Sequence, residues 1–238
     1  MFQFKQFTIK QDQCAFKVGT DAVLIGAWAR PEQATQILDI GTGTGVIAIM
    51  MAQKTVGQKT ANITAIDIDE SAFKQAQENA EASPWKDRIA VIHTSLQDFT
   101  AQNKLQFDLI ITNPPFFNSA GHAQNTSRSI ARNTHQLPFE ELAKNAAKLL
   151  HQDGQFYLIL PTEEAIQFRK IAEKNGLVLS ELLRVLTKPE SAYEKRHIML
   201  FRKSAFLYSE TSIVIEEGER HDYSTAYKEL TKDFYLAF

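Results

Sequence analysis

Gln36-Ile37-Leu38-Asp39-Ile40-Gly41-Thr42-Gly43-Thr44-Gly45 is the stretch that decides the fold. A short apolar run of buried-strand character leads straight into a turn with glycine at every second position. Val46 to Ala52 then reads as a helix, with Val46, Ile47, Ile49 and Met50 on one stripe. A strand that turns on glycines and reopens as a helix is the first half of a strand–helix–strand unit. Glycines there let the backbone come close to a ligand, and the new helix start offers unpaired N–H groups.

Outward from the turn the alternation repeats. Asn62 to Asp67 is a predicted strand, and Glu70 to Ala82 a helix opened by acidic residues and closed before Ser83-Pro84. Ile89 to His93 and Phe107 to Thr112 are strands, the second stopped by two prolines. Phe139 to Leu150 is a helix, Gln155 to Leu160 a strand, and Glu163 to Asn175 a helix closed by Gly176. This spacing predicts an α/β fold with a parallel sheet and right-handed crossovers, its strands buried on both faces. The tail changes character. Leu177 to Leu186, His197 to Phe201 and Ser212 to Glu216 are strands without full-length helices between them, which predicts an antiparallel edge. No repeat, low-complexity tract or Gly/Ser linker interrupts the chain, so one domain over 1–238 is expected. Within it, 1–33 packs against the first strand near the ligand, 34–176 forms the binding core, and 177–238 completes the sheet.

The dinucleotide fingerprint requires a third glycine at position 46, which is Val46, so the pattern is D-x-G-x-G-x-G instead. Asp39 before the turn would repel a pyrophosphate and suits a cationic ligand. S-adenosylmethionine, with its sulfonium and α-ammonium, fits that demand. Asp67, 22 residues after Gly45, ends the second strand, where a carboxylate can accept both ribose hydroxyls. Asp69 competes for that role, and Asp67 is preferred because it closes the apolar run. Asp98 is a candidate acceptor for an adenine amino group, with a helix cap or a solvated loop acid as the alternative.

Asn113-Pro114-Pro115-Phe116 ends the fourth predicted strand. Ligands of open α/β sheets sit beyond the carboxyl ends of the strands, so this motif falls beside the glycine turn. An exocyclic amine on a heteroaromatic ring is a poor nucleophile, because its lone pair is delocalised. The Asn113 side-chain oxygen and the Pro114 carbonyl can accept its two N–H bonds and favour the pyramidal amine of a methyl-transfer transition state. Pro114 and Pro115 stiffen the turn, and Phe116 offers a face for a planar group. No strong base is needed, since the proton can leave after transfer.

On these residues the chain resembles the class I amino-methyltransferases with an [N/D]PP[Y/F] signature. More narrowly, Phe4-Lys5-Gln6-Phe7, Gln11-Asp12-Gln13-Cys14-Ala15, Lys17-Val18-Gly19-Thr20-Asp21, Gly26-Ala27-Trp28-Ala29 and Asn113-Pro114-Pro115-Phe116-Phe117 resemble bacterial tRNA adenine-N6 methyltransferases that modify A37 of valine tRNA. The likeness runs to the tail at Asp233-Phe234-Tyr235-Leu236. It implies a Rossmann-like fold with a mostly parallel seven-stranded sheet whose last strand is antiparallel. It also implies that Lys17, Gly19, Thr20 and Asp21 fold back near the methionine end of the cofactor. Many relatives carry Tyr in place of Phe116; stacking survives that change and a hydroxyl contact does not.

Net charge is −2, so binding of tRNA requires a local basic face. Residues 120–137 contain Arg128 and Arg132 and no acid, directly after the NPPF motif. Residues 184–203 hold six Lys or Arg against two Glu, with Lys188, Lys195 and Arg196 as candidate backbone contacts; a charge-protected edge strand is the alternative. The single cysteine, Cys14, excludes an internal disulfide and reads as a small buried hydrophobe rather than a nucleophile. The six histidines show no metal-ligand spacing, so no metal is expected. The first residues lack an apolar signal core and no long apolar run exists, which predicts a cytoplasmic protein without a membrane span; nothing requires more than a monomer. Rival activities on the same planar nitrogen are methylation of a protein glutamine amide, of guanine N2 in rRNA or of adenine in DNA. The glutamine-directed enzymes carry a helical domain before the first strand, and 33 residues are too few for one; the DNA enzymes usually add a recognition domain.

Overall fold

A computed structural model of the chain describes residues 1–14, 16–57, 61–114, 137–191, 193–204 and 207–238. It opens with a small hairpin, β1 (Phe2–Gln3) and β2 (Thr8–Ile9), followed by α1 (Thr20–Trp28). The alternating core comprises β3 (Gln36–Ile40), α2 (Val46–Lys54), β4 (Asn62–Asp67), α3 (Glu70–Ala82), a 3₁₀ turn at Lys86–Arg88, β5 (Ile89–His93), α4 (Leu96–Gln102), β6 (Phe107–Thr112), α5 (Phe139–Leu149), β7 (Leu150–Pro161) and α6 (Thr162–Lys174). The tail supplies β8 (Val178–Leu186), β9 (Arg196–Arg202), β10 (Ser209–Val214) and α7 (Thr225–Thr231).

Among the described residues the main sheet has eight strands in the order β10-β8-β9-β7-β6-β3-β4-β5. The parallel core from β5 to β7 matches the expected alternation. Two expectations for the tail need correction. The sheet's seventh strand in chain order is antiparallel, as expected, but it lies inside the sheet and not at an edge, and an eighth strand is added beyond the expected seven. The reversed strand is β9, antiparallel to both β7 and β8. The chain has no helix between β8 and β9, so it must reverse direction there, and β9 lies against β8 as a hairpin partner while filling the slot beside β7. β10 then adds outside β8, parallel to it.

The alternation of side chains along the strands separates two apolar layers. Ile37, Leu109, Ile111, Tyr157 and Ile159 face α1 and α2. Leu38, Ile40, Ile110, Phe156 and Leu158 face α5 and α6. The expected apolar stripe on α2 is in fact apolar all round, and every residue from Val46 to Gln53 is buried. That follows from α1, which covers the outer side of α2. The two helices pack so closely that a Cβ on Gly26 would meet Met50 Sδ at 2.7 Å. The first residues therefore reach the sheet largely through α2. The hairpin is tied to the far end of the chain, where the Lys5 amide donates to Phe234 O at 2.8 Å and Phe4 stacks on Tyr235 at 6.0 Å between centroids. Among the described residues no helix is long and apolar enough to cross a membrane.

Candidate functional site

The turn between β3 and α2 is built from backbone bonds that its glycines make possible. Gly41, Gly43 and Gly45 all have positive φ, at 67°, 56° and 80°. The amides of Gly41 and Thr42 both donate to Ile66 O at the end of β4, at 2.9 and 3.0 Å. A Cβ on Gly41 or Gly43 would meet nothing within 4 Å among the described residues, so the turn borders open space there. Gly45 is different: a Cβ there would lie 3.3 Å from Ala76 Cα on α3. Gly43 thus leaves the ligand side open, while Gly45 lets α3 close against the turn.

Asp39 is wholly buried directly beneath this turn. Its Oδ2 accepts the Thr42 hydroxyl at 2.6 Å, and its Oδ1 is buried with no hydrogen-bond partner of good geometry among the described residues. Burial pushes its carboxyl up to about 7; the Thr42 hydroxyl and the Ala48 amide hold it lower than burial alone would, and nearby Asp67 adds to the rise. An orphaned, hard-to-ionise carboxylate oxygen has an unmet demand for a donor or a cation.

Asp67 closes β4 as expected and is half-buried. Its Oδ2 accepts the Gly43 amide at 2.8 Å and its Oδ1 the Asp69 amide at 3.0 Å. Burial raises its carboxyl above the usual range, and those amides counteract the rise. Asp69, the competitor, is occupied as the N-cap of α3, accepting the Ala72 amide at 2.8 Å. Between them, Ile68 is 46% exposed. It is an apolar surface beside the ribose candidate that sequence reasoning overlooked, because a single exposed isoleucine has no pattern. Asp98 lies exposed in the first turn of α4, where Ser95 Oγ accepts its amide at 3.0 Å and donates to its Oδ2 at 2.7 Å. Ser95 is therefore the cap of α4 and Asp98 its partner in the first turn, and Asp98 Oδ1 has no partner among the described residues.

The N-terminal segment is brought to this turn by two buried amides on α3. Asn79 Nδ2 donates to Lys10 O and to Thr44 O, both at 2.8 Å, and its Oδ1 accepts the Lys10 amide at 2.8 Å. Gln75 Oε1 accepts the Gln13 amide at 3.0 Å. Gln75 and Asn79 were not singled out from sequence, although both are polar residues on the Ala72-Ala76-Ala80 face of an amphipathic helix. Beyond them Lys17 is exposed, Gly19 is the N-cap of α1, and Thr20 opens the helix. Asp21, in the first turn, pairs with Arg196 Nε at 2.8 Å. Cys14 is half-buried, and burial together with Asp67 and Asp69 pushes its thiol up to about 11, so it is no nucleophile.

Asn113 follows β6, whose last residue Thr112 stands opposite Ile40, immediately before Gly41. The Thr112 hydroxyl also donates to Ile40 O at 2.8 Å. Asn113 is half-buried and Pro114 buried, both one strand away from the glycine turn. Pro115 and Phe116, like Arg128 and Arg132, lie outside the described residues. Of the tail cations, Lys188 is half-buried and Lys195 exposed, on the connection between β8 and β9. Arg196 is engaged with Asp21, so its first role in the folded chain is to join β9 to α1.

A family profile described as the methyltransferase small domain matches residues 16–174. A protein from Bacteroides thetaiotaomicron named tRNA1(Val) (adenine(37)-N6)-methyltransferase is 44% identical, covering 99% of this chain and 97% of its own. One of the same name from Flavobacterium johnsoniae is 41% identical, with 99% of each chain covered. Among solved structures, a predicted O-methyltransferase from Agrobacterium tumefaciens aligns with a TM-score of 0.68 over 90% of this chain and 96% of that one, at 17% identity. NSun6 from Pyrococcus horikoshii aligns with a TM-score of 0.57 over 80% of this chain and 53% of that one, also at 17% identity. At such identities the two structures attest to the fold alone.

Proposed function

Because this chain belongs to the methyltransferase small-domain family and, within it, to the tRNA1(Val) (adenine(37)-N6)-methyltransferases, we propose that it transfers a methyl group from S-adenosylmethionine to the exocyclic N6 of A37 in valine tRNA. The geometric observation that carries the reading is the register of Thr112 with Ile40, which sets Asn113-Pro114 beside the open glycine turn.

The residues present fit the cofactor. The buried, unpartnered Oδ1 of Asp39 and the open space at Gly41 and Gly43 are what a cationic ligand held close to backbone requires. When bound, S-adenosylmethionine supplies an electrophilic methyl group on sulfur. Asp67 accepts the ribose hydroxyls with the lone pairs that the Gly43 and Asp69 amides leave free. Ile68 offers the adenine ring an apolar face, and Asp98 Oδ1 accepts its amino group. Lys17, Gly19, Thr20 and Asp21 close over the methionine end. On the substrate side, the Asn113 side-chain oxygen and the Pro114 carbonyl accept the two N6–H bonds of the target base. Pro115 and Phe116 keep the roles that the sequence suggests for them, a stiffened turn and a face for the base. Held in this way, the N6 lone pair would be turned toward the methyl group that the bound cofactor would supply, with thioether sulfur as the leaving group. The extra proton leaves to water, so no side chain acts as a base. Arg128, Arg132, Lys188 and Lys195 are assigned to the tRNA backbone.

A methyl group on a sulfonium is already activated, so no Lewis-acid metal is required, and activity is expected to survive EDTA. The enzyme is read as a monomer working in the cytoplasm, where its tRNA is. Incubation with tritiated S-adenosylmethionine and total tRNA, rRNA, DNA or protein tests the activity. Label is expected in valine tRNA as N6-methyladenosine, and none in a transcript with G at position 37. Label confined to protein, rRNA or DNA would overturn the reading.

A further inference from the structure

We propose that Tyr193, on the connection between β8 and β9, is a stacking platform for an unpaired base of the RNA outside the methylation pocket, with Lys188 and Lys195 beside it for the phosphate backbone. This rests on the tRNA reading above. β8 runs in the direction of β6 and β7, so residues 187–195 emerge at the same end of the sheet as Asn113 and the glycine turn. The connection is anchored on both sides of Tyr193. The Lys188 amide donates to Ser191 Oγ at 3.0 Å, the Thr162 hydroxyl donates to Glu194 O at 2.7 Å, and the Lys195 amide donates to Val185 O at 2.8 Å. The Asp21–Arg196 pair then ties the start of β9 to α1.

On this built loop Tyr193 is 75% exposed and makes no hydrogen bond or ring contact among the described residues. A large, rigid aromatic held in water on a braced loop is suited to a partner with a planar face. The charges agree with a polyanion. Glu194 is matched by Arg184 at 3.0 Å, while Lys188 and Lys195 belong to no ion pair among the described residues. Counting across β7 and along β9 puts Tyr193 at most roughly 20 Å from Asn113. That is near enough for a nucleotide of the same loop as the methylated base. Single-stranded RNA loops are bound by stacking splayed bases on aromatic rings, and the methylation pocket holds only one base.

The test is steady-state methylation of valine tRNA by the full chain carrying Tyr193→Ala or Tyr193→Phe. Tyr193→Ala is expected to raise the KM for tRNA about tenfold, the loss of one base–aromatic stack. The KM for S-adenosylmethionine and the unfolding midpoint should stay at wild-type values, and Tyr193→Phe should keep the wild-type KM for tRNA. A Tyr193→Ala enzyme with an unchanged KM for tRNA overturns the proposal. So does a Tyr193→Phe enzyme as weak as Tyr193→Ala, which would assign the effect to the hydroxyl. Wild-type enzyme that labels no tRNA would instead refute the activity itself, so the two failures are distinguishable.

Discussion

Asp39 shows how far burial can change one side chain. Its carboxyl is pushed up to about 7, so the folded chain keeps a proton that the unfolded chain has already lost. From the ordinary carboxylate range up to about 7 the native state therefore loses stability as pH rises, and above 7 the effect levels off. Replacing Asp39 with Asn should flatten that part of the stability profile, as followed by thermal unfolding. Binding of a cationic cofactor works the other way, because it requires the ionised form. Affinity for S-adenosylmethionine is expected to rise about tenfold between about pH 6 and about pH 8, and Asp39→Asn should remove the dependence; calorimetric titration reads both. Asn113 is the second decisive residue. Asn113→Ala should lower kcat on the order of a hundredfold or more, while the Kd for S-adenosylmethionine stays constant. Retained activity would remove Asn113 from the mechanism.

At the scale of elements, α3 organises the cofactor side. One face of this helix supplies Ala76 against Gly45, Asn79 against Thr44 and Lys10, and Gln75 against Gln13. Gly45→Ala would place a Cβ at positive φ 3.3 Å from Ala76. A loss of about 2 kcal/mol or more is expected in urea unfolding, from the backbone penalty and the contact together. Asn79→Ala leaves the Lys10 amide, Lys10 O and Thr44 O without their partner. It should cost about 1–3 kcal/mol in stability. It should also raise the KM for S-adenosylmethionine much more than the KM for tRNA, because the segment it releases is the one proposed to close the cofactor side. Equal shifts in both constants would show a general loosening instead.

For the whole molecule, one sheet carries both apolar layers, and the β1–β2 hairpin is fastened to the chain's far end by the Lys5 amide and by Lys5 Nζ, which donates to Lys232 O at 2.6 Å. No layer can open without exposing the strands that the other layer covers. The chain is therefore expected to unfold as one domain, in a single transition that circular dichroism and tryptophan fluorescence report at the same midpoint, since Trp28 and Trp85 lie on packed segments. Two separated midpoints would count against that. Saturating S-adenosylmethionine should shift the single transition upward as a unit.

Gln36 to Gly45 shows why so much could be read in advance. The order of strand, glycine turn and helix is written in local periodicity and in the φ freedom of glycine, and both act over a few residues. The same holds for Asp67 at the end of β4 and for Asn113-Pro114 at the end of β6, because side chains beyond the carboxyl end of a parallel strand converge on one crevice. The sequence by itself thus determined the parallel core, the glycine cradle and the kind of nitrogen the NPPF motif suits. It did not determine the place of β9, the parallel pairing of β10 outside β8, the reach of Asn79 to Lys10 and Thr44, or the pairing of Asp21 with Arg196. Those depend on which distant segments share a surface, and no local pattern encodes that. Only the tertiary structure decided them, because burial against the rest of the chain sets which polar group finds a partner and which, like Asp39 Oδ1, finds none among the described residues.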